Sequence, residues 1–399
     1  FGSRRPQTRR ASVPWAMARR RTARRGLQTG LAFFLPMLAV GVKMAWEGRL
    51  TVSMLLSGRL GWLVARVALW AMGELPEQPW VQAASSASLA AVARAGARGA
   101  KTAAGAGAVD YLVGALAGHP RDASVQANAC AALERLAAGS DNRSAVVANA
   151  GGVRRALAAL GAHPGDPSVL GNACALLHRL AGTGSAGRGA LAAAVGAAPL
   201  LAGVMRGHPD APEVQGFCGA ALGLAATGGT GGEDSAQEAA EALMAALRSH
   251  LASSWVQRKA NAALLSFAHG SSHARAVLLQ LGVLEEVLAS MRAHPGDALV
   301  QRSTCGLIWL LAAHDASGRT AVADAGGLAE LTAALAQHRQ DVGVQAHGLA
   351  ALAVLLSGGT STRSSLLVAE ADKRALSALE AHPADARVHE HGCTLLAGL

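Results

Sequence analysis

The chain has 399 residues, of which 51% are apolar and only 3% aromatic, so a buried core must be built mainly from alanine, leucine and valine. Its net charge of +10 lies entirely in residues 1–80, which hold 13 Lys and Arg against 3 Asp and Glu. Residues 81–399 carry no net charge, which argues against nucleic-acid binding by this larger part.

The N-terminal part divides into a basic tail and an apolar segment. Residues 1–26 contain nine arginines and no acidic residue, so we expect a disordered tail. The apolar centre of residues 27–46 runs from Leu31 to Val42, which is short of the roughly 20 residues of a membrane-spanning helix. Three interpretations of this segment stay open: a signal or transit peptide, a marginal membrane anchor, or a helix that caps the rest of the chain.

A repeated marker runs through the rest of the chain. A valine, usually followed by glutamine, recurs every 42 to 45 residues, as Val81, Val125, Val169, Val214, Val256, Val300, Val344 and Val388. Six residues before each of the last seven valines stands a histidine, as His119, His163, His208, His250, His294, His338 and His382. Repeats of this period indicate stacked helical units. We therefore expect one elongated array over residues 47–399.

Each copy is predicted to contain three helices. In one copy the helices cover residues 143–150, 153–160 and about 167–181, and the third has an apolar stripe at helical spacing. A glycine stands 12 residues before the histidine in five copies, whereas Glu238 and Glu370 take this place in two others. A sharp bend between the first and second helices needs a residue that accepts positive φ, which glycine does.

The five cysteines recur with the repeat, at Cys130, Cys174, Cys218, Cys305 and Cys393. Each lies at a small-residue position of an apolar third helix. Stacked helices lie about 8–10 Å apart, and a disulfide needs Cα atoms within about 7 Å. We therefore expect free, buried thiols in a reducing compartment.

The order of a short helix, an Ala-Gly-Gly bend, a second helix, a His-Pro turn and then V-Q-x-x-A-C-x-A-L-x-x-L-A resembles the armadillo repeat. It is most similar to the armadillo segments of leucine-rich-repeat kinases and related scaffold proteins. The resemblance implies an all-α armadillo-like superhelix of about eight three-helix repeats, with a concave groove, lined by the third helices, that holds extended peptides. The Trp and Asn pairs by which nuclear-import adaptors hold basic peptides are replaced here, for example by Ala131 and Arg135.

Positions 3, 6 and 10 after the marker valine share one face of the third helix, and the resemblance makes this the groove face. The predicted peptide-binding residues are Asn128, Arg135, Asn172, Arg179, Lys259, Ser266, Leu310 and Val354. The first half of this groove is polar and basic and the second more apolar. Such a groove suits an extended acidic or phosphorylated peptide with one or two apolar anchors. A solvated face whose partner binds elsewhere is the open alternative.

No catalytic, cofactor or metal site is predicted. Equivalent histidines lie one helix spacing apart, too far to share a metal ion, so we expect them to end the second helices by bonding free carbonyls. Gly182, Gly184 and Gly187 match a dinucleotide-binding spacing but follow a helix instead of a strand. An arginine starts the first helix of five copies, as Arg143, Arg188, Arg275, Arg319 and Arg363. We expect these arginines to bond side chains or carbonyls of the inter-copy loop; a basic ridge for acidic partners is the alternative.

The sequence therefore predicts a non-catalytic, monomeric, cytoplasmic protein-binding scaffold. Two alternatives are the regulatory region of a longer enzyme such as a kinase, and an adaptor that residues 17–46 anchor in a membrane or direct to an organelle.

Overall fold

The computed structural model of the chain describes residues 59–228, 232–358 and 360–399, where the regular structure is 22 α-helices and two short 3-10 turns. The helices are α1 (Arg59–Glu74), α2 (Pro79–Arg94), α3 (Ala97–Gly105), α4 (Ala108–Gly118), α5 (Ala123–Ala137), α6 (Asp141–Asn149), α7 (Gly152–Ala162), α8 (Pro167–Thr183), α9 (Ser185–Ala192), α10 (Ala197–Gly207), α11 (Pro212–Ala225), α12 (Gly232–Ser249), α13 (Ser254–Gly270), α14 (Ser272–Gln280), α15 (Leu284–Ala293), α16 (Ala298–His314), α17 (Ala316–Asp324), α18 (Gly327–Gln337), α19 (Val342–Leu355), α20 (Thr360–Val368), α21 (Ala371–Ala381) and α22 (Ala386–Gly398). The basic tail, the apolar segment at 27–46 and residues 47–58 of the expected array lie outside the described residues.

The helices follow the expected order of first, second and third helix within a copy. In the copy with helices predicted at 143–150, 153–160 and about 167–181, α6, α7 and α8 match these spans to within a few residues. Eight helices carry the marker valine and are third helices: α2, α5, α8, α11, α13, α16, α19 and α22. These helices pack against one another in sequence. The all-α, stacked architecture predicted from the repeat is confirmed.

A left-handed residue separates the first from the second helix of a copy. Five glycines have φ between 75° and 92° at this bend, namely Gly107, Gly151, Gly196, Gly282 and Gly326. Glu370 adopts the same conformation with φ 57°, alone among non-glycine residues of the described chain. Glu238 instead lies inside α12, so that two helices are continuous there. The prediction of three helices in every copy is wrong at this point, because no left-handed residue interrupts the helix.

We expect Glu370→Gly to stabilise the array by about 1 kcal/mol, because glycine adopts the left-handed conformation without the strain of a Cβ atom. The ion pairs of Glu370 with Lys373 and Arg374 are exposed, so their loss weighs little. Glu238→Gly is the matched control and is expected to lower stability by about 1 kcal/mol, because it places glycine inside a helix. Thermal unfolding followed by circular dichroism measures both; equal shifts in one direction would contradict the assignment.

An N-terminal capping bond fixes the start of most third helices. Asp122 accepts a hydrogen bond from the Val125 backbone N–H at 2.9 Å. Equivalent aspartates or a serine do the same at later copies, namely Asp166, Ser253, Asp297, Asp341 and Asp385. A capping side chain satisfies an N–H that has no partner within the helix. The marker valine is therefore the third residue of its helix, with its side chain buried in the core.

One continuous core of alanine, leucine and valine runs the length of the stack, from Ala65 in α1 to Leu395 in α22. Small alanines let helices approach closely, and leucines supply most of the largest fully buried side chains. Phe267 is the largest fully buried side chain among the described residues. The stability of each copy therefore depends on its neighbours, as in other stacked repeats.

The seven marker histidines join neighbouring copies. Each Nε2–H donates to a backbone carbonyl in the turn of the preceding copy, at 2.6–2.9 Å. The acceptors are Pro76, Pro120, Pro164, Pro209, Leu251, Pro295 and Arg339. A carbonyl oxygen only accepts, so the proton must lie on Nε2. The histidines bond free carbonyls as expected, but the carbonyls belong to the preceding copy and not to the histidine's own helix. We call this series of seven histidines the histidine ladder.

The glutamine after the valine joins the second and third helices of one copy. Gln126 Nε2 donates to the carbonyls of Leu116 and His119 at 3.0 and 2.9 Å. The same two bonds recur at Gln82, Gln215, Gln257, Gln301 and Gln345. These carbonyls end the second helix and have no helical partner. The recurring Val-Gln pair is thus a packing and hydrogen-bonding element.

The prediction that all five cysteines are free is wrong for one pair. Cys174 on α8 and Cys218 on α11 form a disulfide, with their Cα atoms 4.9 Å apart. The predicted separation of about 8–10 Å applies to helix axes, whereas Cα atoms that face each other each lie about 2.3 Å closer. Cys218 is one residue nearer its valine than the other cysteines, which turns it by about 100° around its helix.

Two of the remaining cysteines fit the prediction of inert core thiols. Cys130 and Cys305 are free and fully buried. Burial raises the pKa of both thiols to about 12. Cys393 is free but exposed, which corrects the prediction of burial at that position.

Candidate functional site

The third helices pack against one another along the stack, each on the third helix of the next copy. The side chain of Lys259 on α13 reaches His178 on α8, with Nζ and Nε2 2.8 Å apart, although α11 lies between these helices in the stack. Such a contact between alternate copies requires the third helices to be crowded on this face. This is the face on which the resemblance places the peptide groove, and we call it the groove face.

Glycines in α11 make this crowding possible at the centre of the array. A Cβ atom on Gly223 would lie 2.5 Å from the Ala263 carbonyl oxygen of α13, and one on Gly216 would lie 2.1 Å from the Trp255 ring. Each glycine thus allows backbone or ring to pack directly against α11. Phe217, beside Gly216, contacts Trp255 edge-on with ring centroids 5.0 Å apart.

A cleft of about 500 Å³ opens on this face between α5, α8 and α11. Its lining includes three of the eight predicted site residues, Arg135, Asn172 and Arg179. The other lining residues are Ala131, Glu134, Pro167, Ser168, Gly171, Ala175, His178, Glu213 and Phe217. No backbone or side-chain atom of the described chain fills this space, so a ligand has room to enter it.

The charges in the cleft are only partly free. Arg179 donates through Nε and Nη2 to the Glu134 carboxylate of the neighbouring helix, at 2.9 and 2.8 Å. Arg135 Nε is buried and has no hydrogen-bond partner in the described part of the chain. The cleft is therefore lined by polar and charged groups, and Glu134 reduces the basic character that its arginines give it.

The two asparagines of the groove face have unused hydrogen-bonding groups. Asn128 on α5 and Asn172 on α8 occupy equivalent positions one copy apart, and both are half-buried. Neither side chain bonds another described residue. A side-chain amide offers donors and an acceptor, the groups that an extended peptide backbone also offers.

Lys259 and His178 form the centre of the groove. Because the ammonium of Lys259 can only donate, His178 Nε2 accepts a hydrogen bond from it, and the neutral imidazole carries its own proton on Nδ1. Burial, and then the charges of Lys259 and Arg179, lower the pKa of His178 to about 4. Burial, and then Arg179 and Arg258, also lower the pKa of Lys259.

The later third helices present more apolar surface. Leu310 on α16 and Val354 on α19 are partly buried and pack against the core. The Trp309 ring stacks on His347 with centroids 6.2 Å apart, and His391 lies 6.1 Å from the same ring. Ser266 on α13 donates to its own helix, at the carbonyl of Ala262.

Several groove residues were missed by the sequence prediction. Glu134, His178 and Trp309 stand nine residues after their valines, next to the tenth position that the prediction used. Phe217 and His347 stand at the third position, which the prediction applied only to the two asparagines and Lys259. A wider face, followed through all copies, would have found all five residues.

Three of the four first-helix arginines whose side chains are described bond the end of the preceding third helix, whereas Arg319 makes no such bond. Arg143 donates to the carbonyls of Leu136 and Ala138, at the end of the preceding third helix. Arg188 and Arg275 make the equivalent bond to Ala181 and Ala268. Basic side chains at a helix C-terminus also complement its dipole.

A metal-binding cluster and a membrane-spanning helix are two further features that residues 59–228, 232–358 and 360–399 could contain. No three His, Cys, Asp or Glu side chains in these ranges are grouped to hold a metal ion. No single helix there is long and apolar enough to cross a membrane. Ser185–Ala192 and Ala197–Gly207 together have the length and composition of a membrane span, but they are bent by 86° relative to each other.

Stacked helical units with a shared core and an inner groove define an α-solenoid repeat protein. Residues 225–379 match the family model of the LRRK2 ARM repeat. A crystal structure of an engineered protein has a TM-score of 0.54 and 22% identity, covering 87% of this chain and 92% of that chain. A designed armadillo repeat protein has a TM-score of 0.42 and 17% identity, covering 73% of this chain and 99% of that chain. No curated protein sequence matches the chain.

The described part of the chain is an armadillo-like helical solenoid, and residues 225–379 are similar to an armadillo repeat. The resemblance noted from the Val-Gln and Ala-Gly-Gly positions is thus confirmed, and the match to the LRRK2 repeat covers the part from the end of α11 to α21.

Proposed function

We propose that the chain is a non-catalytic scaffold whose groove binds an extended segment of a partner protein. The observation that carries this proposal is the pair of free amides, Asn128 and Asn172, one copy apart beside the open cleft. Each can bond a peptide N–H and a carbonyl at once. An extended chain is suited to such a groove because its own backbone groups are unpaired.

The arrangement of side chains supports a ligand with two kinds of contact. Arg135 and Arg179 lie on the earlier third helices, Lys259 lies on the fifth of the eight, and Trp309 with Leu310 lies on the sixth. A segment that bears acidic or phosphorylated residues at one end and an apolar anchor at the other would complement both parts. This is the partner class we propose, with the scaffold acting as a monomer.

Selection of peptides tests the proposal. A phage-displayed library of 12-residue peptides is selected on the full chain, and the affinity of enriched peptides is measured by fluorescence anisotropy. We expect Asn128→Ala with Asn172→Ala to weaken binding about tenfold or more, because each loses hydrogen bonds to the peptide. Asn142→Ala with Asn149→Ala, on the exposed surface of α6, is the matched control and should leave affinity unchanged.

Two results would overturn the proposal. One is that no peptide is enriched above background. The other is that the groove variant and the α6 variant bind the enriched peptides equally well, which would place the binding surface elsewhere.

A further inference from the structure

Lys259 carries a positive charge that no carboxylate of the described chain balances. The residue is half-buried on the groove face of α13, and its only hydrogen-bond partner among the described residues is the neutral His178. The ion pairs of the described residues all involve other cations. Exposed lysines are balanced by solvent, but a half-buried ammonium is only partly solvated and retains an unbalanced field.

The charged neighbours of Lys259 already have partners. Arg179 on α8 is held by Glu134, and Arg258 on α13 pairs with Asp297 at 2.9 Å. Neither acid is therefore free to turn toward Lys259. The two guanidinium groups add to the positive potential around the ammonium, and this repulsion agrees with the direction in which the pKa of Lys259 moves.

Two further donors without acceptors lie beside the same part of the groove. Arg135 Nε and His178 Nδ1 are buried, and neither has a hydrogen-bond partner among the described residues. Both residues line the cleft between α5, α8 and α11. An N–H dipole without an acceptor adds to positive potential, so these groups and Lys259 favour the same sign of ligand charge.

We propose that Lys259 is the anchor for an anionic side chain, a carboxylate or a phosphate, of the segment bound in the groove. The ammonium keeps its bond to His178 and has two N–H groups left for the anion. Arg179, held in place by Glu134, borders the same position. This inference rests on the proposed function, because it specifies which part of a bound segment is recognised at the centre of the groove.

Synthetic peptides test the anchor. Rhodamine-labelled (Ala-Glu)4, (Ala-Gln)4 and (Ala-phosphoSer)4 are titrated with the full chain at low ionic strength, and binding is followed by fluorescence anisotropy. We expect the acidic peptides to bind and the glutamine peptide not to bind. Lys259→Gln should weaken binding of an acidic peptide about tenfold, as for loss of one hydrogen bond to a charged group.

Two other variants separate a specific anchor from general charge. Lys101→Gln removes the same charge from an exposed lysine on α3 and should change affinity less than twofold. Lys259→Arg retains the charge and should retain most of the binding. Circular dichroism confirms that each variant is folded. The stronger of the glutamate and phosphoserine peptides identifies whether carboxylate or phosphate is preferred.

Three outcomes would overturn the anchor. Equal losses in Lys259→Gln and Lys101→Gln would show only general attraction. Failure of both acidic peptides to bind would exclude an anion site. Neutral library peptides that bind through Asn128 and Asn172, with no effect of Lys259→Gln, would refute the anchor while leaving the proposed peptide groove intact.

Discussion

Gly223→Ala is expected to destabilise the array by about 3 kcal/mol, because the new methyl group would overlap backbone atoms that have little freedom to move. The Cβ atom would lie 2.5 Å from the oxygen, 2.7 Å from the Cα and 2.8 Å from the carbonyl carbon of Ala263. Relief of this overlap requires α13 to move away from α11, and Lys259 would move with it. Thermal unfolding and the affinity for (Ala-Glu)4 report the two effects.

Gly203→Ala is the matched control for this substitution. Gly203 also lies within a helix, α10, but a Cβ atom there would meet no other atom within 4 Å. We expect this variant to be more stable than the wild type by about 0.5–1 kcal/mol, because alanine is the better helix former. If both variants lose stability to the same extent, close packing of α11 on α13 is not what requires glycine at position 223.

Gln257→Glu is expected to destabilise the array by about 3 kcal/mol at pH 7, although the two side chains have nearly the same shape. Gln257 is fully buried and donates to the carbonyls of Leu247 and His250 at 2.8 and 3.0 Å. The His250 carbonyl has a second donor in the Ser253 N–H. A carboxylate cannot donate, so it would be buried as a charge against carbonyl oxygens.

The pH dependence of this variant has a defined sign. Burial raises the pKa of a carboxyl group, so the folded variant binds a proton more readily than the unfolded chain. The difference in free energy of unfolding between wild type and variant should therefore shrink as pH falls toward the ordinary glutamate pKa of about 4.3. At that pH the carboxyl is protonated and donates one hydrogen bond. Gln340→Glu, in an exposed turn, is the control and should match the wild type. A deficit independent of pH would contradict the hydrogen-bonding role.

The sequence predicted the repeat, its three-helix order and the left-handed bends, because these depend on local properties of valine, histidine and glycine that recur in register. It did not distinguish Glu370 from Glu238. Both glutamates replace a glycine, but one adopts positive φ and the other continues a helix. That difference depends on packing of the whole copy, which a local pattern does not contain.

The contacts between neighbouring copies were the main feature that the sequence did not predict. The histidines were expected to bond their own helix ends, whereas each bonds the copy before it. Arg179 was predicted as a free groove cation, but Glu134 stands 45 residues away on the neighbouring helix and pairs with it. The Cys174–Cys218 pair depends in the same way on how two helices face each other. Such pairings need the distance and rotation between helices, which spacing along one helix does not give.

The histidine ladder has a consequence for how such a chain can change in length. Donor and acceptor are separated by 43 residues in most copies, yet by 41 at His250 and 44 at His208, with bond lengths of 2.7 Å in both. Copies of different length thus keep the same histidine–carbonyl bond, so the extra or missing residues are accommodated in other parts of the copy. A gene that gains or loses one whole unit would still place each imidazole opposite a turn carbonyl, whereas a gain of half a unit would not. Duplication in whole units is therefore the route by which an array of this kind can lengthen and keep its junctions.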